Sequence, residues 1–255
     1  MSGGKIGVGI IGTGFGLSVH APGFQLTPET EVVAVCSKHK ERGEAAARQY
    51  EIPHVFTDYR QMLDMKEIDL VSVAAPDYLH ASMAMDALDA GKHVLCEKPF
   101  GMKLEESKRL YEKANNTNLT TMVNTFWRYI PSWAKVKELV DQGYIGEPRH
   151  ILMYAISGAS HDTLNPEPWS WTRDKTQGTG YMSSSGSHGI DAIRWWFGEF
   201  AGVYAQIETF IKQRKDPQTE NLRPVTVDDA HTFTFFTYCR KRSDWYSGYR
   251  LRNRG

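Results

Sequence analysis

Glu97, Lys98 and Pro99 close the stretch GKHVLCEKPF, residues 91 to 100, in which a glycine stop leads into a short apolar run that ends on an ion pair. A strand interior gains nothing from Glu and Lys. The tip of a strand, however, is where α/β proteins bind ligands. This placement therefore predicts a lysine positioned for chemistry. Pro99 would fix the backbone so that the pair points out of the sheet.

A second group lies near the N-terminus. Gly12-Thr13-Gly14-Phe15-Gly16 follows an apolar run and opens a helical segment. In that setting a glycine loop lets backbone N–H groups approach a pyrophosphate, which makes Gly12, Gly14 and Phe15 cofactor-binding candidates. The usual third position of G-x-G-x-x-G is Leu17, and the formal match Gly7, Gly9, Gly12 falls inside the strand. A purely structural turn uses glycine for the same conformational freedom. After the second apolar run comes Ser37-Lys38-His39, with Arg42 one turn on. A carboxylate there would hold the ribose 2′-OH of NAD, whereas a hydroxyl flanked by Lys and Arg suits a 2′-phosphate. Ser37, Lys38 and Arg42 thus point to NADP(H) as the preferred cofactor, with NAD(H) as the other candidate; the competing reading of the charges is a solvated helix start. Ala75-Pro76-Asp77 ends a further run, and His80 follows one helical turn later. Pro76 and His80 would then sit at the crevice where strand order reverses, His80 either facing a cofactor or packing as a cap.

These residues need a scaffold, and the first half of the chain supplies one. KIGVGII, EVVAVC, DLVSVAA and KHVLC read as strands and LTTMVN as a weaker one, separated by the helical patterns KERGEAAARQY, DYLHASMAMDALDAG and LEESKRLYEKANN. The second helix carries Leu79, Met83, Ala87 and Leu88 on one face and stops at Gly91. Strand and helix in alternation predict a doubly wound parallel sheet over residues 1–122. From 123 to 255 the texture changes. A helix SWAKVKELVDQG, a strand PRHILMYAISG, a tryptophan-rich loop, a helix GIDAIRWWFGE and two long strands, VYAQIETFIK and VDDAHTFTFFTY, predict an α+β domain with a mostly antiparallel sheet.

Composition narrows the function classes. The 255 residues carry 30 Lys plus Arg against 30 Asp plus Glu, so a nucleic-acid partner, which would want a basic face, is not expected. Cys36, Cys96 and Cys239 lack metal-ligand or CxxC spacing, so no metal site is expected. Free thiols suit a reducing compartment, and the glycine-broken N-terminus is no signal peptide. With no window near the ~18 apolar residues of a membrane span, the expected location is cytoplasmic and no membrane partner is expected.

Taken in order, IGVGIIGTGFG, AAPDYLH, GKHVLCEKP, KVKELVDQGYIGEPR and GSHGIDAIRWWFGE resemble the glucose-fructose oxidoreductase and inositol dehydrogenase family, often written Gfo/Idh/MocA. The resemblance implies a Rossmann domain followed by a substrate and oligomerisation domain. It also implies hydride transfer between NAD(P) and a hydroxyl-bearing carbon of a sugar, cyclitol or related polyol. Lys98 would then stand near the nicotinamide and the reacting oxygen, with Glu97 orienting the lysine or the cofactor. In the family motif D-x-G-x-H-x-x-D, residues 184–191 read Ser-Ser-Gly-Ser-His-Gly-Ile-Asp. His188 would be the general base; Ser184 stands where the first aspartate belongs, and Asp191 is a substrate-binding candidate able to substitute for that acid. Asn124 and Arg128 would pass beside the nicotinamide, with an ordinary ion pair as the competing role for Arg128. Trp169, Trp171 and Arg173 lie in the long loop. There Trp171 is a substrate-binding candidate for the apolar face of a sugar ring, against a core role. A catalytically idle NADP(H)-binding sensor is the alternative function.

After Tyr238 the family pattern calls for a turn and further strands, whereas this chain continues as the basic segment CRKRSDWYSGYRLRNRG. Trp245-Tyr246 dictates a glycine codon in the frame displaced by one nucleotide, and residues 241–247 are compatible there with Asn-Gly-Ala-Ile-Gly-Thr. The expectation is a C-terminal domain truncated by a frame change near Cys239, with residues 239–255 out of frame. Homo-oligomerisation is expected of the full-length form.

Overall fold

The computed structural model describes residues 4–155 and 167–237. The chain divides into two compact units: Met1–Asn124 with Thr176–Thr179, and Thr125–Lys175 with Gly180–Gly255.

The first unit is built on six parallel strands: β1 (Ile6–Ile11), β2 (Thr30–Cys36), β3 (His54–Phe56), β4 (Leu70–Val73), β5 (His93–Cys96) and β6 (Thr121–Val123). Their order is β3-β2-β1-β4-β5-β6, so the winding direction reverses between β1 and β4. The crossovers are α1 (Ala21–Leu26, entered through a π turn at Gly16–His20), α2 (Lys40–Tyr50), α3 (Tyr59–Leu63), α4 (Asp77–Asp89) and α5 (Leu104–Asn115). The central strands are apolar without alternation because both faces are covered. Val8, Ile10, Val32 and Val35 pack with Ala21 and Ala46 on one side. Ile11, Val71, Val73 and Val94 pack with Met83, Ala84, Ala87 and Leu88 of α4 on the other. Burial pushes the Cys36 thiol up to about 12, with Asp58 adding to it, and raises Cys96 as well, so both behave as small core residues. The three-residue β3 and the short α3 were not foreseen, because neither is long enough to show a period.

In the second unit α6 (Pro131–Asp141) and α7 (Ser187–Phe197) meet through Trp133 and Trp196, whose ring centroids lie 5.1 Å apart. Trp196 Nε1 donates to the Trp133 carbonyl at 3.1 Å. Two antiparallel pairs complete the described part: β7 (Phe200–Glu208) with β10 (Ala230–Thr237), and the hairpin β8 (Gln213–Lys215) with β9 (Leu222–Pro224). The long strand expected at VYAQIETFIK ends at Glu208 because the Asp229 carboxylate accepts the N–H groups of Phe210 and Ile211 at 2.7 and 2.8 Å and turns the chain aside into β8. The strand expected at PRHILMYAISG is not formed over residues 148–155. No described strand lies alongside to accept its hydrogen bonds, and apolar alternation alone does not make a strand without a partner. Residues 156–166 and the basic segment from 238 onward lie outside the described residues.

Candidate functional site

The ends of β1, β2, β4, β5 and β6 bring the first unit's candidates to one edge of the sheet. Gly12, directly after β1, has φ +115° and its α-hydrogen side lies against the Ala74 carbonyl, where a Cβ would sit 2.2 Å away. Only glycine lets the β1 and β4 loops close together here. A Cβ at Gly14 would meet nothing within 4 Å, so the loop stays open above that residue. Gly16 packs against Ile10 and Ala74, where a Cβ would come within 3.0 Å and 3.2 Å. The close helix-to-strand approach expected of Leu17's position is thus made by Gly16. This loop fits a dinucleotide pyrophosphate: one glycine makes the turn, one leaves the backbone open to approach, and one seats the helix. Phe15 is exposed at its rim.

At the end of β5, Glu97 is 6% exposed and collects three donors. His20 Nε2 lies 3.0 Å from Oε1, Asn124 Nδ2 donates to the same oxygen at 2.5 Å, and the Lys98 N–H reaches Oε2 at 3.2 Å. Burial pushes this carboxyl up, but the hydrogen bonds from His20, Asn124 and the Lys98 N–H outweigh it and hold the carboxyl below the ordinary range. Lys98 itself is held below the usual lysine range because burial disfavours its charge; Glu97 and Asp77 recover part of that. Asp77, at the start of α4, accepts from Thr179 Oγ1 at 2.9 Å. The Lys98-Pro99 peptide is cis.

Two of the candidates face inward. His80 is 2% exposed, with Nδ1 2.7 Å from the Pro99 carbonyl and Nε2 2.6 Å from the Ala75 carbonyl. It braces the loop after β4 against the loop after β5, because one turn into α4 the side chain points back under the sheet edge. The expected cofactor contact of His80 is therefore corrected to support of these two loops. Ser37 is buried too, its hydroxyl 3.4 Å from Thr13 Oγ1 and accepting the His39 N–H at 3.2 Å. It ties the glycine loop to the end of β2, while Lys38 and Arg42 stand exposed beside it. Pro76 caps α4 from the adjoining loop. Asn124, expected beside a nicotinamide, instead secures Glu97.

His20 and Ser72 escaped the sequence reading. His20 Nδ1 lies 2.6 Å from Ser72 Oγ, so Ser72, His20, Glu97 and Asn124 form one buried chain of polar groups. The available signal was a histidine directly behind the glycine loop and a serine inside the otherwise apolar DLVSVAA. A polar residue buried in such a strand requires a partner.

In the second unit His188, in the first turn of α7, is 4% exposed. Its ring stacks on Trp127 at 4.5 Å and 9°, and meets Phe126 edge-on at 5.1 Å. Asp191, one turn further, is held bidentately by Arg128, with Nε and Nη2 at 2.6 and 2.5 Å from its two oxygens. The pair commits both residues, the competing role for Arg128. Ser184 lies in the π turn Met182–Gly186, where its hydroxyl reaches the Tyr181 carbonyl at 3.5 Å. Trp169 is core: its Nε1 donates to Pro224 O at 3.0 Å and the Arg223 guanidinium covers its face at 3.2 Å. Trp171, half-buried, opens the short 3-10 turn Trp171–Arg173. Among the described residues no cluster of His, Cys, Asp or Glu suits a metal ion, and no helix is long and apolar enough to cross a membrane.

Residues 6–125 match the oxidoreductase family with an NAD-binding Rossmann fold, and residues 133–242 match the GFO/IDH/MocA C-terminal domain. An uncharacterised oxidoreductase of Synechocystis sp. is 32% identical over 225 residues, which is 88% of this chain and 60% of that protein. Levoglucosan dehydrogenase of Pseudarthrobacter phenanthrenivorans is 30% identical over 218 residues, 82% of this chain and 56% of that protein. The solved structure of a levoglucosan dehydrogenase in complex with NADH and L-sorbose superposes with a TM-score of 0.80 at 28% identity, covering 91% of this chain and 64% of that one. The chain thus spans less than two thirds of the length of these relatives. It belongs to the GFO/IDH/MocA oxidoreductase family.

Proposed function

We propose that this chain serves an NAD(P)-dependent dehydrogenase that oxidises a hydroxyl-bearing carbon of a sugar, cyclitol or related polyol, or reduces the matching carbonyl. The observation that carries the reading is Lys98, presented by a buried and fully bonded Glu97 at the same sheet edge as the open glycine loop. The levoglucosan dehydrogenase relatives support a sugar as the substrate class.

The cofactor would lie with its pyrophosphate over Gly12, Gly14 and Phe15 and its adenosine ribose at the end of β2. Its nicotinamide supplies the hydride acceptor or donor when bound. Lys38 and Arg42, exposed beside Ser37 where an NAD-type site would place an acidic residue, suit a 2′-phosphate, so NADP(H) is the preferred form. The structural relative was solved with NADH, which keeps NAD(H) as the form to measure against it.

In the oxidation direction the carbon loses its C–H bond with both electrons, and the hydroxyl loses its proton. Lys98 as ammonium stabilises negative charge on that oxygen; deprotonated, it can relay the hydroxyl proton. Burial favours the deprotonated form, so the oxidation rate should rise with pH through a value below that of an ordinary lysine. By family resemblance His188 is the general base.

A second reading, a cofactor-binding protein that does not turn over, is favoured by Ser184 standing in the family's aspartate position while Arg128 holds Asp191. The test is the absorbance of reduced nicotinamide on mixing the chain and NADP+ or NAD+ with a panel of anhydrosugars, ketose sugars and cyclitols. Turnover that disappears in Lys98→Met supports the dehydrogenase. Saturable dinucleotide binding without turnover on any of the panel supports the second reading.

A further inference from the structure

We propose that His20 and Ser72 are positioning residues for Lys98, acting through Glu97. They fix the donor that faces the carboxylate and so hold that carboxylate in place beside Lys98. The inference deepens the proposed function and rests on Lys98 being the catalytic lysine.

The direction of each hydrogen bond follows from the partners. An ionised carboxylate only accepts, so His20 Nε2, 3.0 Å from Glu97 Oε1, must carry its hydrogen. Asn124 Nδ2 lies 3.2 Å from His20 Nε2 and 2.5 Å from Glu97 Oε1. Two donors do not bond each other, so both point at the carboxylate. With Nε2 protonated, the neutral imidazole leaves Nδ1 as an acceptor. The Ser72 hydroxyl, 2.6 Å away and fully buried in β4, donates to it. Ser72 therefore selects the His20 tautomer in the way that an orienting group fixes a catalytic imidazole. Without that hydroxyl, the other tautomer becomes competitive and would turn a lone pair toward Glu97.

Water has little access to correct such an error. His20 is 5% exposed, with Phe15 edge-on at 5.4 Å and Phe24 edge-on at 6.5 Å. Phe15 belongs to the glycine loop, so the ring that walls off His20 also lines the expected pyrophosphate position. The charged groups acting on Lys98 are Glu97 and Asp77, and Asp77 is steadied separately by Thr179. Disturbing His20 or Ser72 thus changes one of these two carboxylates and leaves the other in place.

The test reads the lysine directly, on the full 255-residue chain. Competitive labelling with a trace amine-reactive reagent across a pH series, scored by mass spectrometry on the Lys98 peptide, gives its titration midpoint without any turnover. Glu97→Gln sets the full size of the effect, a fall in the Lys98 midpoint of about one pH unit or more. His20→Leu should give part of that fall, since the carboxylate keeps its charge and loses only its fixed place. His20→Gln, which can return an N–H to the carboxylate, should restore a large part of it, and Ser72→Ala should give a smaller fall in the same direction. Restoration by glutamine separates positioning from simple loss of packing. Ser72→Ala, a change of one hydroxyl, keeps the test available if His20→Leu does not fold. A Lys98 midpoint unchanged by Ser72→Ala and by any folded His20 variant overturns the proposal, as does an unchanged midpoint in Glu97→Gln. Absence of dehydrogenase activity in the unaltered chain would instead count against the proposed function and would leave these midpoints as they are read.

Discussion

Around Lys98 the neighbours are hydrogen-bonding groups in a closed chain: Glu97 receives three donors and His20 is itself oriented by Ser72. Around His188 the neighbours are rings, with Trp127 flat against the imidazole and Phe126 at its edge. The first environment sets charge; the second sets position. A stacked aromatic wall limits how an imidazole turns. In the proposed chemistry the electrostatic part belongs to the first unit, where the strand ends of a doubly wound sheet can hold several polar groups in fixed register.

If that division holds, substitutions should fall in a definite order. Lys98→Met should lower kcat/KM by about three orders of magnitude, within the range for loss of a positioned acid–base group, while the thermal shift caused by dinucleotide is kept. Loss of both would mean that Lys98 acts by holding the cofactor. His188→Asn should lower kcat/KM by about a hundredfold, a smaller effect than at Lys98. A reversed ranking would break the comparison. Ser184→Asp sharpens it from the other side: a carboxylate near the imidazole should raise kcat by up to about tenfold if a missing acid limits the base. An unchanged kcat would mean that His188 needs no such partner.

The remaining two effects concern stability. The folded Glu97 carboxyl titrates below its unfolded value, so its contribution is present above the ordinary glutamate range and is lost as pH falls through the depressed folded value. Acid unfolding followed by circular dichroism should therefore show a steeper loss in the unaltered chain than in Glu97→Gln. Equal acid limbs would remove Glu97 as the cause. Asp191→Ala should lower stability by about 1 kcal/mol or less, because Arg128 is more than a third exposed and solvent screens the pair. A loss several times larger would show that the pair carries the second unit's fold.

Much of the first unit was legible in the sequence because its signals are local and repeat. Apolar runs buried on both faces, with periodic helices between them, gave strands and crossovers whose bounds match closely, α2 at Lys40–Tyr50 among them. The glycine loop was legible because backbone geometry demands glycine where the β1 and β4 loops close together. What escaped depends on distant pairing. His20 and Ser72 are 52 residues apart, and neither pattern nor propensity joins them. For His80 a cofactor-facing and a packing role both stayed open, and Ser37 was read as a ribose contact, since a polar residue at a strand edge does not announce which way it turns. In the second unit the segment 148–155 alternates like a strand, yet strand formation depends on a neighbour that local sequence does not report.

The central claim is that the first unit holds a nicotinamide dinucleotide over its glycine loop. Its most direct test is the thermal unfolding of the purified 255-residue chain, alone and with NADP+ or NAD+ at equal concentration. A ligand at a hundredfold its dissociation constant adds about 2.7 kcal/mol to the folded state, enough to displace a cooperative transition clearly. The account predicts an upward shift with both dinucleotides, larger with NADP+, and a reduction of that difference when Lys38 and Arg42 are replaced by alanine. A cooperative transition that neither dinucleotide moves would contradict it.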